Sequence, residues 1–379
     1  MDAGFVPYAP TVEKVDPDFE QTMKIVLDHM RAHMETSVAV EGVGRAVRDA
    51  HAKGYGIARG EVEILGDLPA PYAQGIYATP GVHDAAVRFS NGTAHTGADR
   101  FLGAGCGIGL KIFGIDGPTL LDDEPDSRTF DYAMINAPTF FVNTVEHYVF
   151  IQGLFAQIGL PPPDVPLAQK RAAMHRFLHD WITGGGTLPP EEWAWDELGA
   201  FLAMARIGCV NLLLSTYWTM GAVRHGDYIA KVRVAPVPSF AEKVTRRALD
   251  LESADEVFRP ALVAELRARP YEFDIQVQLC ADLDSMPVED VTVEWPQALS
   301  PFVTVGKLRL PRQDIGGDDN LERMDATSMT PWRVTEAHRP LGNIMRARKE
   351  AYRQSSILRH QLNHQTRAEP TRLADVFGD

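Results

Sequence analysis

Four side chains near the C-terminus, Arg348, Tyr352, Ser355 and Arg359, recur at i, i+4, i+7 and i+11. That spacing predicts a helix with all four on one face. Two guanidiniums and a phenol on one stripe call for an anionic, electron-poor partner. A phenol titrates near pH ~10 and is a poor ligand at neutral pH unless a cation stabilises its anion. A ferric ion does this, and a guanidinium one helical turn away adds a hydrogen bond and a second positive charge. Arg348 stands at that distance from Tyr352. Ferric heme combines such an iron with propionates suited to arginine.

The Arg-x-x-x-Tyr spacing decides nothing alone, because four of the ten tyrosines satisfy it. Tyr132 and Tyr228 fall in predicted strands, where i and i+4 lie about 13 Å apart. Tyr271 follows Pro270, which breaks a helix. Tyr352 differs from these three in having a further arginine seven residues on. Two upstream clusters carry matching chemistry. Arg48-Asp-Ala-His51 precedes a glycine turn and is followed by Val87-Arg88-Phe89-Ser90, in which a strand would place Arg88 and Ser90 on one face. Met134-Ile-Asn136-Ala-Pro-Thr-Phe140-Phe141 supplies an amide and two aromatic rings. Each has a plainer explanation: a capping histidine for His51, turn chemistry for Asn136, and core packing for the phenylalanines. His147, His175 and His179 have no partner in the pattern and read as structural or surface residues.

The 379-residue chain has a formal charge of −14, which argues against nucleic-acid and polybasic membrane partners. Cys106, Cys209 and Cys280 are widely spaced without a CxxC pair, which argues against a zinc or iron–sulfur site and against a disulfide framework. No basic start with an apolar run opens the chain, and no stretch reaches about 18 apolar residues. A cytoplasmic protein in a reducing compartment is expected.

Asp16-Pro17 suits a helix start, with Phe19, Met23, Val26 and Met30 on one face. Strand patterns follow at 57–65, 85–90 and 108–115. Residues 144–225 read as helical, including 172–182 and the run 210–214, interrupted by Pro161-Pro162-Pro163 and Gly184-Gly185-Gly186. The prolines and glycines read as loops alone, with the shaping of a channel or an interface as the alternative. Strands return at 228–234, 271–279, 291–295 and 303–310, before a helix over about 337–362. The expected fold class is α+β: an antiparallel barrel over about 55–310 with helical insertions and a C-terminal helical segment. Residues 1–45 form an arm with a helix, and 46–379 a single domain.

In content and order these motifs resemble heme catalases. The resemblance rests on Arg-x-x-His51 before a glycine turn, Val-Arg88-Phe-Ser90, Asn136-x-Pro-x-Phe-Phe141 and Arg348-x-x-x-Tyr352 with Arg359 seven later. It extends to Gly107-Ile-Gly-Leu-Lys-Ile-Phe113 and to residues 293–308, and so spans most of 40–365. It implies a catalase-like fold and heme b, with Tyr352 as axial iron ligand polarised by Arg348. It further implies His51 as distal acid–base residue, Asn136 as the distal hydrogen-bond partner of the peroxide and Ser90 orienting the imidazole. Arg48, Arg88 and Arg359 would hold the propionates, and Phe141 would line the pocket.

The sequence departs from full catalases in having Ala50 where they usually carry valine, in the stretch 114–130, and in the short region after the Tyr352 helix. It therefore resembles the smaller catalase-related heme proteins. The expected function is activation of hydrogen peroxide or an organic hydroperoxide, with peroxidase-type turnover on a reducing co-substrate and weak catalase activity, in a homo-oligomer. Fatty-acid hydroperoxide rearrangement, as in allene oxide synthases, and non-catalytic heme binding or sensing are the alternatives. A barrel that binds a small apolar ligand without heme is the plainest one.

Overall fold

The computed structural model describes residues 4–158 and 166–378. Pro161, Pro162 and Pro163 lie outside the described residues. Among those described, nine strands form one antiparallel sheet: β1 (Gly54–Ile64), β2 (Gly81–Asn91), β3 (Cys106–Phe113), β4 (Thr129–Ile135), β5 (Tyr217–Trp218), β6 (Val223–His225), β7 (Tyr228–Pro236), β8 (Tyr271–Leu279) and β9 (Val303–Leu310). The order is β5-β4-β3-β2-β1-β9-β8-β7-β6, and β5 also pairs with β7. That second pairing closes eight strands into a barrel and leaves β6 as a hairpin on β7.

Strand alternation decides which side chains fill the barrel. Tyr271, Phe273, Ile275, Val277 and Leu279 are all buried, as are Val87, Phe89, Leu110, Phe130 and Tyr132. They belong to one continuous apolar core. The interior is thus packed with side chains rather than open to a small apolar ligand.

Helices cover the outside. They are α1 (Phe19–Val40), α2 (Asp99–Leu102), α3 (Val145–Ile158), α4 (Leu167–Thr183), α5 (Trp195–Ala205), α6 (Pro238–Ala241), α7 (Phe258–Ala268), α8 (Asp318–Ala326), α9 (Asn343–Leu362) and α10 (Leu373–Phe377). Phe19, Met23, Val26 and Met30 of α1 are buried as their spacing predicts. Met30 and Met34 pack against Leu358, which ties α1 to α9.

Several boundaries depart from expectation. Asp16 does not cap α1: its carbonyl accepts from Phe19 N (3.1 Å) in a preceding turn, and Asp18 is the N-cap. The helical insertion ends at Ala205, and only the 3-10 turn Leu212–Leu214 persists in the apolar run read as helix. Residues 217–218 and 223–225 are strands, because barrel closure needs β5 there. Residues 291–295 are not a strand. Val291 N donates instead to Asn143 Oδ1 (2.9 Å), and Val293 O accepts from Lys231 Nζ (3.1 Å). The C-terminal helix begins at Asn343 rather than 337, after Gly342 in a left-handed conformation.

Two buried imidazoles at one end of the barrel make stability pH-dependent. His225 Nε2–H donates to Tyr72 O (3.0 Å), and the His225 and His338 rings lie 5.5 Å apart. Burial brings His225 down to about 4, and burial followed by the neighbouring His225 pushes His338 well down. The unfolded chain therefore binds more protons than the folded one between about pH 4 and 6.5, so stability rises with pH across that window and is lost as pH falls through it. His225 alone contributes on the order of 3 kcal/mol to this change. Chemical denaturation from pH 4 to 7 should show a shallower rise for His225→Gln than for the native chain. Identical slopes would contradict the assignment.

Candidate functional site

Alternation along β2, β3 and β4 turns a second row of residues away from the barrel interior. In register across the three strands this row reads Ser90–Gly107–Ile135, then Arg88–Gly109–Ala133, then Ala86–Lys111–Asp131. Helix α9 crosses this outer face, with α1 beside it. Between them lies a cavity of about 270 Å³ lined by Arg48, His51, Arg88, Ser90, Asn136, Phe141, Arg348, Tyr352, Ser355 and Arg359, among others. Every side chain singled out in the sequence for this chemistry borders one space.

The α9 stripe forms one wall. Arg348 Nη2 donates to Tyr352 Oη (2.9 Å) and to Ala133 O (2.9 Å), so the strand carbonyl fixes the guanidinium over the phenol. Arg88 and Arg359 are buried, and Nε of each has no hydrogen-bond partner. Arg88 donates to His51 O (2.7 Å) and Arg359 to Asp325 O (2.6 Å). Arg48 donates to Asp325 Oδ1 (3.2 Å) and to the carbonyls of Met324 and Thr327. Burial first, and then the Arg48 cation, pushes the Arg88 and Arg359 guanidiniums well below their ordinary range. Of these three guanidiniums Arg48 alone meets the Asp325 carboxylate, among the described residues, and Arg45 engages the same group. Buried donors of this kind are rarely left unpaired, so the cluster suits an added anion.

His51 faces this arrangement from the segment before β1, in a left-handed conformation at φ 56°. Its Nδ1 lies 2.5 Å from Asn91 O. A carbonyl can only accept, so Nδ1 carries the hydrogen and Nε2 keeps the lone pair. Ser90 Oγ stands 3.3 Å from the same Nδ1 and 3.4 Å from Gly107 O, to which it donates. Burial, then the Arg88 cation, lowers His51 to about 4 and keeps the ring neutral at ordinary pH. Asn136 is clamped to the neighbouring strand: Oδ1 accepts from Cys106 N (2.8 Å) and Nδ2 donates to Ala104 O (2.9 Å). One Nδ2 hydrogen remains available. Phe141 joins the cavity to the helical insertion, 4.5 Å from Phe140 and 5.9 Å from Trp181 between ring centroids.

Gly107 makes room for the imidazole. A Cβ at this position would sit 2.5 Å from His51 Cε1 and 2.8 Å from Met134 O. Gly107→Ala should displace the ring by about 1 Å, which costs about 100-fold in turnover where reacting geometry is tight. Steady-state kinetics below the melting transition, which the contact with Met134 O should lower, would bear this out; unaltered turnover would not.

Sequence reasoning missed three participants. Asn91 acts through its carbonyl, which carries no side-chain signal. Asp325 lies 34 residues before Arg359, with no periodic relation to it. Tyr148, on α3, lines the cavity and accepts a hydrogen bond from Gln152 Nε2 (3.0 Å).

No protein-family model and no curated protein matches the chain. Solved structures do. A fungal catalase superposes with a TM-score of 0.61 at 15% identity, over 85% of this chain and 62% of its own. Catalase A from Saccharomyces cerevisiae gives 0.60 at 16% over 96% of this chain and 70% of its own. A bacterial catalase gives 0.60 at 17% over 97% and 66%. The chain thus spans under two thirds of the fungal and bacterial proteins' length. A closed eight-stranded antiparallel barrel with a helical insertion and a crossing C-terminal helix is, in this chain, the catalase fold.

Proposed function

We propose that this chain is a heme b enzyme of a reducing cytoplasm that activates hydrogen peroxide or an organic hydroperoxide. Turnover is of the peroxidase type, with an organic reducing co-substrate and weak oxygen release. One observation carries the reading. A guanidinium-bonded phenol, two buried guanidiniums with unpaired Nε atoms and a neutral imidazole all border one cavity.

The donor set fits the group. Tyr352 would supply its phenol oxygen to iron, and Arg348 would polarise that oxygen through its 2.9 Å hydrogen bond. Arg48, Arg88 and Arg359 would hold the propionates, which would add negative charge beyond that of Asp325. Phe141 lines the pocket. When bound, heme supplies a redox-active iron that accepts oxidation from a peroxide and passes it to a donor.

The remaining steps belong to the protein. His51 Nε2 takes the proton from one peroxide oxygen and returns it to the other, so that water leaves rather than hydroxide. Nδ1–H stays on Asn91 O throughout, which fixes the tautomer, and Ser90 limits rotation of the ring. The spare Nδ2 hydrogen of Asn136 holds the peroxide in place.

Oxygen release, donor oxidation and consumption of a lipid hydroperoxide, measured side by side, test the assignment. Donor oxidation should exceed oxygen release. Lipid hydroperoxide consumed without any donor would replace it with rearrangement, and bound heme without turnover would leave a binding protein.

A further inference from the structure

Outside the cavity, His33, Glu41 and His95 converge at the C-terminal end of α1 and the loop after β2. One potential ligand atom from each lies within 4.8 Å of the others. We propose that these three side chains bind a divalent transition-metal ion, zinc by preference, with Asp49 as the outer partner of His33.

The arrangement is organised as metal sites are. His33 Nδ1 lies 2.9 Å from Asp49 Oδ1. The carboxylate takes the Nδ1 hydrogen and leaves Nε2 as the ligand nitrogen, the usual carboxylate–histidine relay to a metal. Glu41 Oε2 is held by Thr96 N (2.7 Å) and Thr96 Oγ1 (3.0 Å), which commits Oε1 to the cluster. His95 Nδ1 already sits 2.8 Å from that Oε1. Ligand atoms around tetrahedral zinc stand about 3.3 Å apart, so an ion enters by separating this pair by about half an ångström.

Charge favours the same reading. Among the described residues, Glu41 and Asp49 pair with His95 and His33 and with no lysine or arginine. Both carboxylates are largely shielded, at 6% and 19% side-chain exposure. A dication compensates two carboxylates that, among the described residues, no lysine or arginine meets. Two imidazoles and one carboxylate form a borderline donor set suited to zinc, with a fourth position left for water. The expected absence of a cysteine-based site does not bear on this one, which uses no thiol.

The location gives the ion a consequence. Asn91 O holds His51 Nδ1, and Thr93 O accepts from Ala52 N (2.9 Å), in the segment leading to His95. An ion on His95 therefore fastens the end of α1 to the strand that positions His51. The inference stands whether or not the cavity binds heme.

The test uses the untagged full chain, stripped with chelator and titrated calorimetrically with zinc chloride. One zinc per chain should bind and raise the melting temperature by several degrees. Cobalt in its place should give the visible bands of a four-coordinate site. Hydrogen exchange at Ala52 should slow on zinc addition. His95→Ala, at an exposed position, and His33→Gln should each abolish the site, and Asp49→Asn should weaken it about 10–100-fold. No stoichiometric binding by the native chain, or binding unchanged in the His33→Gln/His95→Ala double variant, overturns the proposal.

Discussion

His51→Ala, loaded with heme, is expected to lose about 100- to 10,000-fold of its peroxide-dependent donor oxidation, the range a positioned acid–base group supplies. Binding of heme itself should persist. The contacts to heme would come from α9 and the arginines, whereas the imidazole is held from the opposite wall by Asn91 O. The pH profile should carry the same signature. Burial and the Arg88 cation hold His51 at about 4, so Nε2 stays basic down to that region and the activity it supports falls only as pH drops through it. Stopped-flow mixing with peroxide reads the loss directly. Turnover unchanged in His51→Ala would remove His51 from the chemistry while leaving the heme site standing.

The second large effect is at Tyr352. Tyr352→Phe keeps the ring and deletes the oxygen that would meet the iron, so the fold should survive and heme retention should fall by more than about 100-fold. Outer partners of metal ligands are worth about 10–100-fold, which is the loss expected for Arg348→Ala. The two variants separate ligation from its support. Arg348→Ala leaves the phenol in place and should shift the absorption spectrum, whereas Tyr352→Phe should abolish the tyrosinate signature. Equal heme affinity in all three proteins, measured by titration, would refute ligation by Tyr352.

The parts legible in the sequence are those set by a single periodicity. Helical spacing placed Arg348, Tyr352, Ser355 and Arg359 on one stripe, and all four border the cavity. Strand alternation put Arg88 and Ser90 on the face opposite Val87 and Phe89. Illegible were contacts without a local period. The strand that closes the barrel is two residues long, too short for alternation to register. The 291–295 run alternates like a strand, but Asn143 and Lys231 take its backbone groups. The main-chain acceptor of His51 has no side-chain signature, and Asp325 meets Arg48 and Arg359 through tertiary packing alone. The glycines at 107 and 109 stood in the sequence as a strand-like run. Their purpose emerges only once register sets them opposite Ser90 and Arg88.

Titration of the full chain with ferric heme, followed by absorption spectroscopy, bears most directly on the site. One heme per chain should bind with a high-spin ferric tyrosinate spectrum that Tyr352→Phe removes. Failure to bind heme, or a spectrum indifferent to the loss of that phenol, would contradict a heme site between α9 and His51.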